Sequence, residues 1–337
     1  MEAGGRSPTL AWYRRFQPLF AVIFGATVLG LVARRIPWQG TAATLKLASL
    51  GWLAFAVFAS LTGVTLRALR LHVLLAFPGG FLRTWRCVAL GALGGALLPF
   101  GGGEVVKVAA LRAHAGVPPI RGTAAVALDR LFDLSVLLAL ILGALGPAAN
   151  FTLRSAPLLA LETVTFLLVA TLLVIALGGG VIRRWIVKRF TFFSPWLARY
   201  DHVHDLVAQF RKPRLLVSLA ALQSGAIAMD FLSVHLTLAA FPFGGALPFA
   251  ATLRTTVFIL LAFALPVGPG ALGSHQVASL LALRSFGPTP AEALAFSLAA
   301  QGCYFIVIGV LSAVAFASAE LGFRNVLAWV GRERNPG

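Results

Sequence analysis

Two segments far apart in the chain carry the same order of signals. The first passes through Leu97-Leu98-Pro99-Phe100-Gly101-Gly102-Gly103-Glu104, continues from Val105 to Ala115, and turns at Gly116-Val117-Pro118-Pro119. The second passes through Ala264-Leu265-Pro266-Val267-Gly268-Pro269-Gly270-Ala271-Leu272-Gly273, continues from Ser274 to Phe286, and turns at Gly287-Pro288-Thr289-Pro290. Each begins in an apolar half-segment and leads into a long apolar helix. Hydrophobic segments interrupted by Gly and Pro at matching places in two halves mark discontinuous helices of the kind that line transporter sites.

The solvent for such a chain is lipid. Of 337 residues, 59% are hydrophobic and 12% charged, against roughly 25% charged in soluble domains. Apolar runs of about 20 residues, enough for a hydrocarbon core of about 30 Å, recur throughout. The net charge of +17 comes from 28 Lys and Arg against 11 Asp and Glu. In a soluble protein that excess points to nucleic acid. Here the basic residues collect at the ends of apolar runs, so orientation bias and anionic headgroups explain them, and no nucleic-acid partner is expected. Cys87 and Cys303 both lie in apolar segments and read as small packing residues, since two cysteines make no disulfide framework.

Spans are expected at 16–32, 45–66, 123–145, 158–177, 215–238 and 291–317, with the broken segments between the second and third and between the fifth and sixth. The first run has no clear small-residue cleavage site and reads as retained. Most Lys and Arg fall inside if both termini, the Arg67–Arg86 stretch and the Arg183–Arg214 connection are cytoplasmic. That holds only if each broken segment enters and leaves on one face, the first from the cytoplasm and the second from outside. The alternative, a kinked crossing helix at each break, is physically sound but moves the basic connection outside. The expected fold is therefore an all-α polytopic membrane protein, with about six spanning helices plus two re-entrant helical hairpins in an inverted repeat. Residues 1–146 form the first half, 147–320 the second and 321–337 a short cytoplasmic tail.

Charges inside apolar segments cost of order 2.5–3.5 kcal/mol each on insertion scales, so they are candidates for function. Glu104 and Lys107 share a helix face after the first break, with Arg112 and His114 nearer the cytoplasmic end. Asp129, Arg130 and Asp133 lie on the next helix. One reading neutralises Glu104 with Lys107 and Arg130 with Asp133, locking the hairpin to its neighbour; the other lines a hydrated groove for a charged headgroup. Gly102 and Gly103 allow close backbone approach and open a helix N-terminus that attracts phosphate, although Glu104 at that end also suits the helix dipole. Gly270 and Gly273 play the same part in the second break and lead to His275 and Gln276. Arg254 is placed to pair with Asp230, which shares a span with His235. His202-Val203-His204-Asp205 sits in a basic loop with no further ligand, so neither a metal nor another cofactor is expected. No zinc-protease, phosphate-loop or serine-nucleophile motif is present, and no catalytic residue is assigned.

These residues give the chain a resemblance to the lysylphosphatidylglycerol synthase transmembrane-region family, a flippase-like domain. The matches are Leu66 to Arg70, the Leu-Pro-x-x-x-Gly-Glu-x-x-Lys pattern ending at Glu104 and Lys107, Asp129-Arg130-x-x-Asp133, and Pro-Gly-x-x-Gly from Pro269 to Gly273. The family often has an acidic residue where Gln276 stands, and Glu where Asp129 precedes Arg130. The resemblance implies a lipid-translocating domain of a bacterial or archaeal cytoplasmic membrane. The tail after Ala317 is too short for a lysyl-transferring domain. The expected function is that of a flippase or scramblase for a polar or anionic headgroup, with Glu104, Lys107, Arg112, Asp129, Arg130, Asp133, Gly102, Gly103, Gly270, Gly273, His275 and Gln276 around it. Its ligands would be membrane phospholipids or polyprenyl-linked lipids, and its protein partner a second copy or an envelope enzyme. Two alternatives are a non-transporting subunit that scaffolds an envelope- or lipid-modifying enzyme through the basic connection, and an embedded headgroup enzyme using Glu104 or Asp133.

Overall fold

The computed structural model describes residues 38–76, 79–98, 102–144, 212–264 and 269–317. The expected spans at 16–32 and 158–177, the motif at His202, residues 183–211 of the basic connection and the tail lie outside them. Among the described residues are nine α-helices, two short 3-10 turns and no strand. In chain order the helices are α1 (Trp38–Lys46), α2 (Leu50–Leu75), α3 (Phe81–Leu97), α4 (Gly102–Ala115), α5 (Pro119–Ala144), α6 (Pro213–Ala239), α7 (Phe249–Ala264), α8 (Ser274–Leu283) and α9 (Pro290–Ala317).

Proline opens α5, α6 and α9, where its missing N–H costs nothing and its fixed φ suits the first turn. The expected span at 45–66 is corrected at both ends. Ser49 is extended (φ −73°, ψ 112°) and its N–H donates to Ala240 O at 2.8 Å, which separates α1 from α2. At the other end Leu69, Leu71, Val73 and Leu74 keep the sequence apolar past Leu66, so α2 continues to Leu75 with Arg67 and Arg70 inside it.

α2, α6 and α9 contain 26, 27 and 28 residues, with mean hydropathy 1.6, 1.7 and 2.0 over an 18-residue window in each. At 1.5 Å per residue each is about 40 Å long, more than a hydrocarbon core. Their outer faces are apolar: Leu50 is 80% exposed and Phe58 and Val217 each 69%. Such a surface is stable against lipid rather than water. The chain is a membrane protein.

Between the long helices lie two folded-back pairs. A Cβ added to Gly91 would stand 2.8 Å from Lys107 Cβ, and one on Gly103 would stand 2.6 Å from Gly91 O. Position rises along α3 as it falls along α4, so the two are antiparallel and packed backbone to backbone. α7 and α8 are antiparallel too, with Phe263 against His275 near the break and Arg254 reaching Ser285 at the other end. These limbs hold 17, 14, 16 and 10 residues, or about 15–25 Å each, too short to span singly.

The order long helix, short limb, short limb, long helix occurs twice, as α2–α5 and α6–α9. α2 and α6 run antiparallel against each other, joined by Ser60 and Ser233 hydroxyls at 3.0 Å and by Ser233 Oγ donating to Ala56 O at 3.1 Å. Each pair also packs on the closing helix of the other half, α3 against α9 and α7 against α5. The second break rests on the end of the first pair: at Gly270 (φ +58°) a Cβ would meet the Phe305 ring at 3.1 Å and Ala96 O at 3.5 Å.

Gly103 tests this packing. Gly103→Ala should lower thermal stability in detergent by about 1–3 kcal/mol, because the new methyl collides with backbone rather than a yielding side chain. An unchanged melting temperature would mean that α3 and α4 are not in this contact.

Candidate functional site

Arg70 has no exposed surface, and its guanidinium is clamped from α5. Nε donates to Asp129 Oδ1 at 2.7 Å, Nη1 to Asp133 Oδ1 at 3.0 Å and Nη2 to the Asp129 carbonyl at 3.0 Å. Asp129 and Asp133 are one helical turn apart and so share the face turned to α2. Phe132 places its ring 5.8 Å from the guanidinium carbon.

From this clamp the charges continue in alternating sign. On one side Asp133 lies 3.9 Å from Arg67 Nε, and Arg67 pairs through two nitrogens with both oxygens of Asp230 on α6. On the other side Asp129 lies 3.9 Å from Lys107 Nζ, Lys107 pairs with Glu104 at 3.0 Å, and Glu104 with Arg130. The sequence of partners is Asp230, Arg67, Asp133, Arg70, Asp129, Lys107, Glu104, Arg130. Four carboxylates alternate with four cations over α2, α4, α5 and α6.

The two 3.9 Å links divide the chain into tighter groups. Asp230 and Arg67 cancel. Asp133, Arg70 and Asp129 together carry −1, and Lys107, Glu104 and Arg130 carry +1. Exposure varies as well: side chains are 0% exposed at Arg70 and 6% at Asp129 in the middle, 20–24% at Asp230, Arg67, Asp133 and Glu104, and 54% at Arg130. The positive group is therefore the one that opens outward.

The second break has no charge at its centre. Gln276 accepts from Gly273 N–H at 2.8 Å and donates to Gln301 at 2.5 Å, and Gln301 donates to Gly270 O at 2.9 Å. Buried His275 bonds Ser297 at 2.8 Å. The two amides satisfy Gly273 N–H and Gly270 O, backbone groups that the break frees, as lipid burial demands.

The candidates thus separate. Glu104, Lys107, Asp129, Arg130 and Asp133 converge in one ionic chain. Gly270, Gly273, His275 and Gln276 form an uncharged cluster at the start of α8, bonded to Ser297 and Gln301 of α9. Gly102 and Gly103 sit in the first turn of α4 and are occupied with packing against Leu98 and α3, while Arg112 is exposed in the last turn of α4.

Two expected pairings are corrected. Arg130 pairs with Glu104 rather than Asp133, because residue 130 is turned about 100° from residue 129 and faces α4. Asp230 pairs with Arg67 rather than Arg254, which donates to Ser285 Oγ at 2.7 Å and Leu281 O at 3.3 Å. The sequence reading also missed the two cations at the centre, Arg67 and Arg70, by assigning them to a cytoplasmic basic stretch. Charge balance was the available signal, since Asp129, Asp133 and Asp230 need more buried cations than Lys107 and Arg130 supply.

Removing Arg70 alone should be severe. Arg70→Met leaves two carboxylates facing each other and should cost about 3–5 kcal/mol, whereas Arg70→Met with Asp129→Leu should recover much of it. Monodisperse yield and thermal unfolding in detergent check this; a single variant as stable as the parent would dismiss the clamp.

No curated protein and no solved structure matches the chain. A family model described as "Lysylphosphatidylglycerol synthase TM region" matches residues 19–312, a stretch that contains both broken segments and every residue of the ionic chain. By that match the chain belongs to the lysylphosphatidylglycerol synthase transmembrane-region family.

Proposed function

We propose that this protein translocates a polar or anionic lipid headgroup across the cytoplasmic membrane, as a flippase or scramblase. The observation that carries the reading is the ionic chain. Its Asp230–Arg67 end is balanced, while its other end, Lys107, Glu104 and Arg130, has one positive charge in excess and, in Arg130, the most exposed member. A headgroup phosphate that reaches Arg130 meets a planar donor fork suited to it. Glu104 can yield its bond to Arg130 and stay paired with Lys107, so no carboxylate is left unpartnered. The acyl chains remain against the apolar outer faces. The family is named for the transmembrane region of lysylphosphatidylglycerol synthase, which agrees with a lipid substrate.

Two further features support a transporter. The repeated order of helices, with α2 antiparallel to α6 and each limb pair on the other half's closing helix, fits an inverted repeat. The short, folded-back limbs fit re-entrant hairpins whose breaks approach each other at Ala96 and Gly270. Transporters of this architecture bind near the meeting of their broken helices and move one half against the other.

The decisive experiment is lipid flipping in proteoliposomes with a headgroup-labelled phospholipid. Arg130→Ala and Glu104→Ala should each reduce the rate at least about tenfold, the effect of losing one charge-assisted contact, with reconstitution unchanged. Parent-like rates in both would overturn the site.

Topology is tested separately. Single cysteines at the exposed positions 83 and 112, in a chain where Cys87 and Cys303 are alanine, should react with an impermeant reagent from the same side. A cysteine at 284 should react from the other. Labelling of 83 and 112 from opposite sides would replace the hairpin with a crossing helix.

A further inference from the structure

The open end of the second helix pair has the makings of a lipid site. A depression of about 360 Å³ is lined there by Arg254, Phe258, Leu281, Arg284 and Ser285. Two cations and a hydroxyl converge on it. Arg254 is held in one orientation: Nη1 donates to Ser285 Oγ at 2.7 Å and Nη2 to Leu281 O at 3.3 Å. The rings of Phe258 and Phe286 lie 5.5 and 5.8 Å from its guanidinium carbon. The bond to Leu281 O also offsets the negative C-terminal end of α8, which would otherwise repel an anion.

The surroundings select a lipid over a free anion. Val277, Leu281 and Arg284 follow one another at four and three residues, so they share a face of α8 and its last turn. Val277 is 44% and Leu281 47% exposed. An apolar strip therefore runs along the outside of α8 and ends in a guanidinium, the pattern of an acyl chain leading to a phosphate.

The first half repeats the arrangement. Arg254 is the sixth residue of α7 (Phe249–Ala264) and Arg86 the sixth of α3 (Phe81–Leu97). Arg284 follows the end of α8, and Arg112 lies in the last turn of α4. Each helix pair thus has arginine on both limbs at its open end.

We propose that the Arg254–Arg284–Ser285 depression binds the phosphate of an anionic phospholipid whose acyl chain lies along Val277 and Leu281. Its role, receiving or delivering the headgroup at the membrane face opposite the Arg86–Arg112 end, rests on the transport reading; its binding chemistry does not.

Binding is measured on the full chain in detergent by native mass spectrometry and by titration with short-chain phosphatidylglycerol, short-chain phosphatidylcholine and inorganic phosphate. The primary variant is Arg284→Ala, an exposed side chain outside the bonds that hold α7 to α8. Arg254→Lys is the second, keeping charge while losing the planar fork. Each should weaken one phosphatidylglycerol site at least about tenfold, with phosphatidylcholine weaker throughout and inorganic phosphate a poor competitor. Unchanged phosphatidylglycerol affinity in Arg284→Ala would overturn the site, and full competition by inorganic phosphate would overturn its assignment to a lipid. If the variants lose binding while the parent flips no lipid, the site stands and the transport reading fails. If the variants bind and flip normally while Arg130→Ala does not flip, the reverse holds.

Discussion

A guanidinium with no solvent exposure fixes the geometry of everything around it. Arg70 cannot be buried alone, and it is not: two carboxylates and a carbonyl from one stretch of α5 surround it. Such pairs add little net stability, because the cost of stripping water from each charge offsets their attraction. What they impose is position. With Asp129 and Asp133 both held by α2, the rotation of α5 about its axis is set. Residue 130 must then face α4, and Arg130 meets Glu104. One clamp therefore decides which charge is hidden and which is presented.

The two halves use different chemistry for the same structural problem. α5 and α9 each start at a proline, and eleven residues later stand Arg130 and Gln301. The first belongs to an ionic chain and the second to a chain of amides. Gln301 holds the broken backbone through Gly270 O, whereas Arg130 holds the Glu104 side chain, and only the first half concentrates charge. On the proposed function, headgroup handling is thus assigned to the first half, while the second supplies a neutral wall that an ion passes without being trapped.

Much of the fold was legible because proline and glycine act locally. Pro119, Pro213 and Pro290 mark helix starts, and the glycine runs mark both breaks, without reference to any distant residue. The acidic members of the site were legible for a different reason: Asp129 and Asp133 are too deep and too short to reach water. Arg67 and Arg70 were not, because a long basic side chain at the end of an apolar run normally snorkels to the headgroups. Whether it does so or turns inward depends on where α5 and α6 place their carboxylates, which is a tertiary matter. The same holds for Arg254, whose partner on the page of the sequence, Asp230, is already engaged by Arg67 from the antiparallel helix.

The two long links in the ionic chain have a mechanical consequence. At 3.9 Å, Arg67 to Asp133 and Lys107 to Asp129 are the weakest joints, and they lie between different helices: α2 with α5, and α4 with α5. Within each tighter group the contacts are 3.1 Å or shorter. A small shift of α4 against α5 would therefore open the Lys107–Asp129 joint first, loosening the link between a group of charge +1 and one of charge −1 while the shorter Glu104–Arg130 contact, which also joins α4 to α5, holds. That separation is unfavourable in lipid unless something neutral overall, or a phosphate at the positive side with water or a cation at the negative side, enters the gap. A headgroup meets that requirement, so on the proposed function the same electrostatics that hold the ionic chain together favour opening it around a substrate.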